Sequence, residues 1–227
     1  PIKKLVSQTA IYGLSSIVGR LLNYLLVPLY VSVFAQTSDY GVISELYAWI
    51  AFLMVLLTFG METAYFKFLS DHPDKKNKIF RNSMLSVLTV NLTFLVAILI
   101  FNGIIADKLL FPNNPEYIIL LGIIVVIDAT SALPLAKLRA EEKAKKFAVI
   151  QLIGIGINIG LNLILMLIFF NPETQHAEVG VRYILFANIA ASLVKPIILY
   201  KDCLCVSWIW DLQLIRSMVK YSFPLAV

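Results

Sequence analysis

The sequence predicts an all-α integral membrane protein: a bundle of six transmembrane helices followed by the start of a seventh. Three observations lead there. Of 227 residues, 59% are hydrophobic and only 15% charged, whereas a soluble domain carries about a quarter charged residues; the mean hydropathy is +0.83. The apolar residues gather into blocks of about 20, the length that crosses a hydrocarbon core of about 30 Å. The basic residues fall between those blocks in an alternating pattern. Together these features exclude a water-soluble enzyme, a disordered chain and a disulfide-stapled secreted module.

The first span is expected at 8–35. Lys3 and Lys4 followed by an apolar run resemble a signal peptide, but Leu5 to Phe34 is too long for one and lacks a small-x-small cleavage site. The second span covers 41–67 and the third 82–106. Phe111-Pro-Asn-Asn-Pro115 breaks the chain before the fourth, at 116–137. The segment Ala136 to Lys146 is rich in helix formers and prolongs the fourth or fifth span as a solvated helix, with anionic headgroups as its sharper partner. The fifth span, 147–170, ends at Asn171-Pro172, and the sixth is 180–200. Trp208 and Trp210, beside Ile209 and Leu212, mark an interfacial amphipathic helix leading onward. A new apolar block begins at Tyr221, and the chain opens on Pro rather than Met, so a longer protein is expected. The organisation is therefore a six-helix lobe at 1–200, an interfacial linker at 201–216 and the start of helix seven at 217–227.

Charge orients the bundle. Sixteen of the 19 basic residues lie at the N-terminus, in the loops after spans two and four, and in the tail bordered by Lys195; the opposite side has Lys108 and Arg182. Lys and Arg prefer the cytoplasmic side, so both ends are expected there. The net charge of +5 is thereby accounted for without nucleic acid. Cys203 and Cys205 are too close for an ordinary disulfide and too few for zinc, so they read as reduced thiols. His72 and His176 are lone loop residues, and no metal or catalytic cluster is evident.

Polar groups within the spans carry the functional information. Arg20 lies near mid-depth of span one, where an arginine costs about 3 kcal/mol. Thr9, Gly13, Ser16, Arg20 and Asn23 share one helical face, and Pro28 can bend the helix beyond them. Asn82, Ser86, Thr89 and Thr93 align on span three. Gln151, Asn158 and Asn162 align on span five, where Gly156-x-x-x-Gly160 suggests close helix approach. Asn188, Ser192 and Lys195 align on span six. Glu62 and Asp128 are carboxylates in apolar surroundings. The Asn, Ser and Thr side chains either line a cavity or tie helices together. Arg20 either faces that cavity or pairs internally with Glu62 or Asp128. Its planar, permanently charged fork suits phosphate, and buried carboxylates are the usual carriers of a coupling proton or sodium ion.

The run from Lys4 to Tyr30, through Ile11-Tyr-Gly-Leu-Ser-Ser-Ile-Val-Gly-Arg20 and Leu26-Val-Pro-Leu-Tyr30, resembles the opening helix of bacterial polysaccharide-biosynthesis flippases. These are Wzx-type O-antigen exporters of the MOP superfamily, related to MATE exporters and lipid II flippases. Asp39-Tyr-Gly41, Phe59-Gly-Met-Glu-Thr-Ala-Tyr-Phe-Lys-Phe68, Leu138-Arg-Ala-Glu-Glu-Lys143 and Tyr221-Ser-Phe-Pro-Leu225 continue the likeness. The resemblance implies the N-terminal lobe of a two-lobed carrier in the bacterial inner membrane. Its cargo would be an undecaprenyl-pyrophosphate-linked oligosaccharide, moved outward by alternating access. Arg20 would hold the pyrophosphate; Ser16, Asn23, the polar stripe of span three, and Asn158 and Asn162 of span five would meet sugars; and Glu62 or Asp128 would bind a coupling proton or sodium ion. No other cofactor is expected; membrane lipids, polysaccharide polymerase and glycosyltransferases are the expected partners. A multidrug exporter would want a carboxylate where span one carries Arg20, and a non-transporting scaffold would tolerate its loss.

Overall fold

The computed structural model describes residues 24–34, 37–203 and 210–225, together with residues 13, 17, 18 and 21; for 37–39 and 225 it describes the backbone alone. Among them every regular element is helical. In chain order these are α1 (Leu26–Val33), α2 (Thr37–Thr58), α3 (Met61–Asp71), α4 (Lys76–Lys108), α5 (Glu116–Ala140), α6 (Ala144–Ile164), α7 (Ala177–Ile198), α8 (Tyr200–Cys203) and α9 (Leu212–Ser222). Five stretches are long and apolar enough to cross a membrane: Tyr40–Asp71, Pro73–Lys108, Glu116–Ala140, Ala144–Phe169 and Ala177–Ile198. They coincide with expected spans two to six. Most of span one lies outside the described residues, and α1 is its final two turns. The chain is an all-α, multi-pass membrane bundle.

Span two departs from a continuous rod. Phe59 and Gly60 take left-handed backbone conformations, φ 34° and 66°, and helical bonding restarts with Gly60 accepting from Thr63 N–H at 3.0 Å. Glycine is required twice over here. Its φ disfavours a side chain, and a Cβ would stand 2.7 Å from the carbonyl oxygen of Ser222 in α9. Span three is longer than expected: α4 has 33 residues, about 50 Å at 1.5 Å per residue, and continues past the apolar belt at its basic end.

The loops at both ends of α5 use ordered stops. Glu116 occupies the first turn of α5, and Lys137 and Arg139 the last, each sign suited to the helix dipole. Glu142 then turns left-handed at φ 54°, while Lys143 N–H reaches back to the Leu138 carbonyl at 2.9 Å. The basic segment thus prolongs both spans, divided by one tight turn. At the other end, Leu110 turns at φ 62° and Phe111 N–H bonds the Ala106 carbonyl at 2.8 Å.

Among the five described spans the most enclosed is α5, with 61% of its apolar stretch buried, against 17% for the stretches that hold α2 and α6. It packs on α4, α7 and α2, while α6 packs mainly on α7. Two apolar cores result. One, at the charge-poor end, joins Tyr30, Leu46, Ile98, Leu121 and Ile184; the other, at the basic end, joins Met61, Met84, Leu133, Phe147 and Met218. Phe52, Val96, Ile100, Phe101 and Ile197 point outward, as suits a lipid-facing surface in a bundle whose solvent is hydrocarbon. Cys203 is buried and free, and burial pushes its thiol up to about 12, which keeps it protonated and unreactive. Cys205 and Trp208 lie outside the described residues.

Candidate functional site

A cavity of about 250 Å³ opens between α1, α2, α6 and α7. This lies just below the usual small-molecule range of about 300–1,000 Å³, room for a sugar ring rather than an extended oligosaccharide. Its polar wall comprises Tyr30, Tyr40, Ser44, Tyr47, Asn158 and Asn188. Asn158 and Asn162 stand four residues apart on α6 and therefore share a face. Tyr30 Oη donates to Asn162 Oδ1 at 2.8 Å. Asn162 Nδ2 in turn donates to the carbonyl of Asn158 at 2.8 Å and to its Oδ1 at 3.0 Å. Across the cavity, Asn188 Nδ2 donates to Tyr47 Oη at 2.7 Å and to the carbonyl of Ile184 at 2.9 Å. The site is thus a neutral ring of hydroxyls and carboxamides, each able to donate or accept.

A neighbouring residue explains why these helices meet. Gly154, one turn before Asn158, brings its Cβ position to 3.4 Å from the Ala191 carbonyl of α7. The close approach expected at Gly156 and Gly160 is not made: nothing among the described residues lies within 4 Å of either Cβ position. Residues 154, 158 and 162 form one stripe, and Gly156 falls on the far side of the helix from it.

The predicted site residues separate into three groups. Asn158 and Asn162 come together at the cavity. Arg20, Asn23 and Ser16 lie outside the described residues. Glu62 and Asp128 are elsewhere. Asp128 Oδ1 accepts from Lys195 Nζ at 2.8 Å, bridging α5 and α7, with the side chains 21% and 20% exposed. Glu62 Oε1 meets Arg139 Nη2 at 2.6 Å, and the Arg139 guanidinium stacks 5.6 Å from the Phe66 ring and 5.7 Å from that of Phe147. Sequence reading offered Arg20 as the internal partner for either carboxylate; among the described residues Arg139 and Lys195 take that place.

The polar stripe on span three serves the helix itself. Ser86, Thr89 and Thr93 each donate at 2.8 Å to the carbonyl four residues earlier, a common use of hydroxyls inside helices. Asn82 is different: its Oδ1 accepts from the backbone N–H of Asp211 at 2.8 Å and so anchors the start of α9. Asn91, off the stripe, is fully buried and sits 3.0 Å from Thr130 Oγ1 of α5.

Tyr30 and Tyr47 escaped sequence reading. The usable signal was Tyr40, Ser44 and Tyr47 at spacings of four and three, polar groups on one face of an otherwise apolar span. Tyrosine prefers the membrane interfaces, so one paired with asparagine deep among helices indicates a polar interior.

No curated protein and no solved structure is similar enough to the chain to match it. One family model does match, described as polysaccharide biosynthesis protein, and it extends over residues 5–227. That match runs from the first span through α9, the same length of chain whose spans build the polar cavity, and the chain belongs to the polysaccharide biosynthesis protein family.

Proposed function

We propose that the protein is a flippase carrying an undecaprenyl-pyrophosphate-linked oligosaccharide across the bacterial inner membrane, with its basic end in the cytoplasm. The single observation that carries this reading, beside the family membership, is the neutral Tyr–Asn ring around a cavity within the spans. A sugar hydroxyl both donates and accepts, so it can replace a Tyr–Asn bond one for one without stranding a partner. The aromatic faces of Tyr30, Tyr40 and Tyr47 suit the apolar C–H faces of a sugar ring. The described wall of the cavity has no carboxylate, which argues against a carrier of organic cations.

In this mechanism Arg20 holds the pyrophosphate and Asn158, with Ser16 and Asn23, meets the sugar. Asn162 orients Asn158. Proton or sodium binding at Asp128 or Glu62 would displace Lys195 or Arg139 and couple the motion to an ion gradient. The protein binds and moves its cargo and forms or breaks no covalent bond in it.

The test is complementation of a flippase-deficient strain with the protein as encoded, carrying Tyr47→Phe, Asn158→Leu or Arg20→Ala. Surface polysaccharide should fall strongly for Arg20→Ala and Asn158→Leu, and partly for Tyr47→Phe, which keeps the ring. Membrane levels of each variant should stay normal. Full export by all three variants would overturn the proposal.

A further inference from the structure

A second cavity, of about 240 Å³, lies at the basic end between the tail of α3, the turn Pro73–Lys75, the start of α4 and the start of α9. Its floor is apolar, from Phe68, Ile79 and Leu214, and its rim carries His72, Lys75 and Lys78 against one carboxylate, Asp211. That carboxylate is already engaged, accepting from Lys78 Nζ at 2.5 Å and from Leu214 N–H at 3.0 Å. The side chains of Lys75 and His72 form no ion pair or hydrogen bond among the described residues, and both are exposed. The surrounding segments, 67–81 and 211–220, hold seven basic residues against three acidic ones. The cavity therefore presents uncommitted positive charge over an apolar floor, where the span Tyr40–Asp71 ends.

We propose that this cavity binds a phosphate-bearing anion, with Lys75 and His72 contacting the phosphate oxygens and Phe68 lying beneath. Lys78 acts differently: held by Asp211, it fixes the wall by tying α4 to α9. A membrane headgroup and a soluble phosphate offer the same chemistry. The headgroup has the advantage of place, because a basic site at the edge of the apolar belt lies at the depth of anionic lipid headgroups, which attract Lys and Arg there. The site lies apart from the Tyr–Asn cavity, and the proposal stands whether or not that cavity carries sugars.

The test counts phosphatidylglycerol retained by the purified, detergent-solubilised protein in native mass spectra, with phosphatidylcholine as the zwitterionic control. The double variant His72→Ala/Lys75→Ala should weaken phosphatidylglycerol retention about fivefold, the equivalent of about 1 kcal/mol. The variant Lys145→Ala/Lys146→Ala, which removes two exposed charges from the first turn of α6 at the same basic end, should retain it unchanged. Inorganic phosphate is then added to the wild type. Displacement of the lipid assigns the site to soluble phosphate, whereas persistence of the lipid assigns it to the headgroup. Equal losses in the two double variants would reduce the effect to diffuse surface charge and overturn the proposal, as would unchanged retention in His72→Ala/Lys75→Ala.

Discussion

Asp128 and Lys195 meet at 2.8 Å between α5 and α7, two full charges joined by one contact, about four-fifths shielded. Tyr30, Asn162, Asn158, Asn188 and Tyr47 meet between α1, α2, α6 and α7 with no formal charge, several short bonds and a cavity beside them. The two arrangements respond differently to loss of a partner. Removing one member of a shielded ion pair leaves a charge that nothing solvates. Removing one neutral partner leaves a hydroxyl or amide that can turn to a neighbour, and hydrogen bonds between membrane helices average about 0.6 kcal/mol. The charged pair holds two helices in one relation until one partner is neutralised or displaced by a bound ion. The neutral ring is suited to exchanging partners with a ligand.

The largest expected effect is therefore Lys195→Ala, which should destabilise the bundle by about 3 kcal/mol by stranding Asp128. Reversible unfolding in mixed micelles measures it, and the double variant Asp128→Leu/Lys195→Met should recover most of the loss. A Lys195→Ala protein with an unchanged midpoint would mean that water solvates Asp128 freely, and the contrast would fail.

Next comes Asn162→Leu, which removes the acceptor of Tyr30 and a partner of Asn158. A loss of about 1 kcal/mol is expected, within the range for hydrogen bonds between membrane helices, with Tyr30→Phe/Asn162→Leu little worse than Asn162→Leu alone. If Asn162→Leu unfolds the protein as readily as Lys195→Ala, the ring is a structural brace rather than an exchangeable one.

The smallest effect concerns an ion pair in water. Lys78 first, and then the N–H of Leu214, hold the Asp211 carboxyl below its ordinary value of 3.8. A lowered carboxyl contributes stability above its unfolded value and loses it as pH falls through the lower folded one. Docking of α9 should accordingly hold from neutrality down to about pH 4 and loosen only below that. Hydrogen exchange across Leu212–Ser222 reports it. Detachment between pH 7 and 5 would contradict the assignment.

The spans were legible because length and hydropathy suffice to find them, and Phe111-Pro-Asn-Asn-Pro115 marks a turn wherever it occurs. The partner choices were not legible. Lys195 reads as a border cation of the basic tail, and only the packing of α7 on α5 carries its ammonium to Asp128, 67 residues away. The break at Phe59 and Gly60 hides in an apolar run, because hydropathy ignores φ. Asn158 and Asn162 were visible from their spacing, but the aromatic partner of Asn162, Tyr30, comes from α1, which spacing along α6 cannot indicate. The stripe of Arg20, Ser16 and Asn23 lies outside the described residues, so its place in the proposed mechanism rests on periodicity and resemblance.

The contact between Gly60 and Ser222 leaves no slack. The bend of span two and the end of α9 are therefore in backbone contact, and neither can move toward the other without a clash. A methyl group added by Gly60→Ala has no space there, so it should part α9 from the bend before it unfolds either helix.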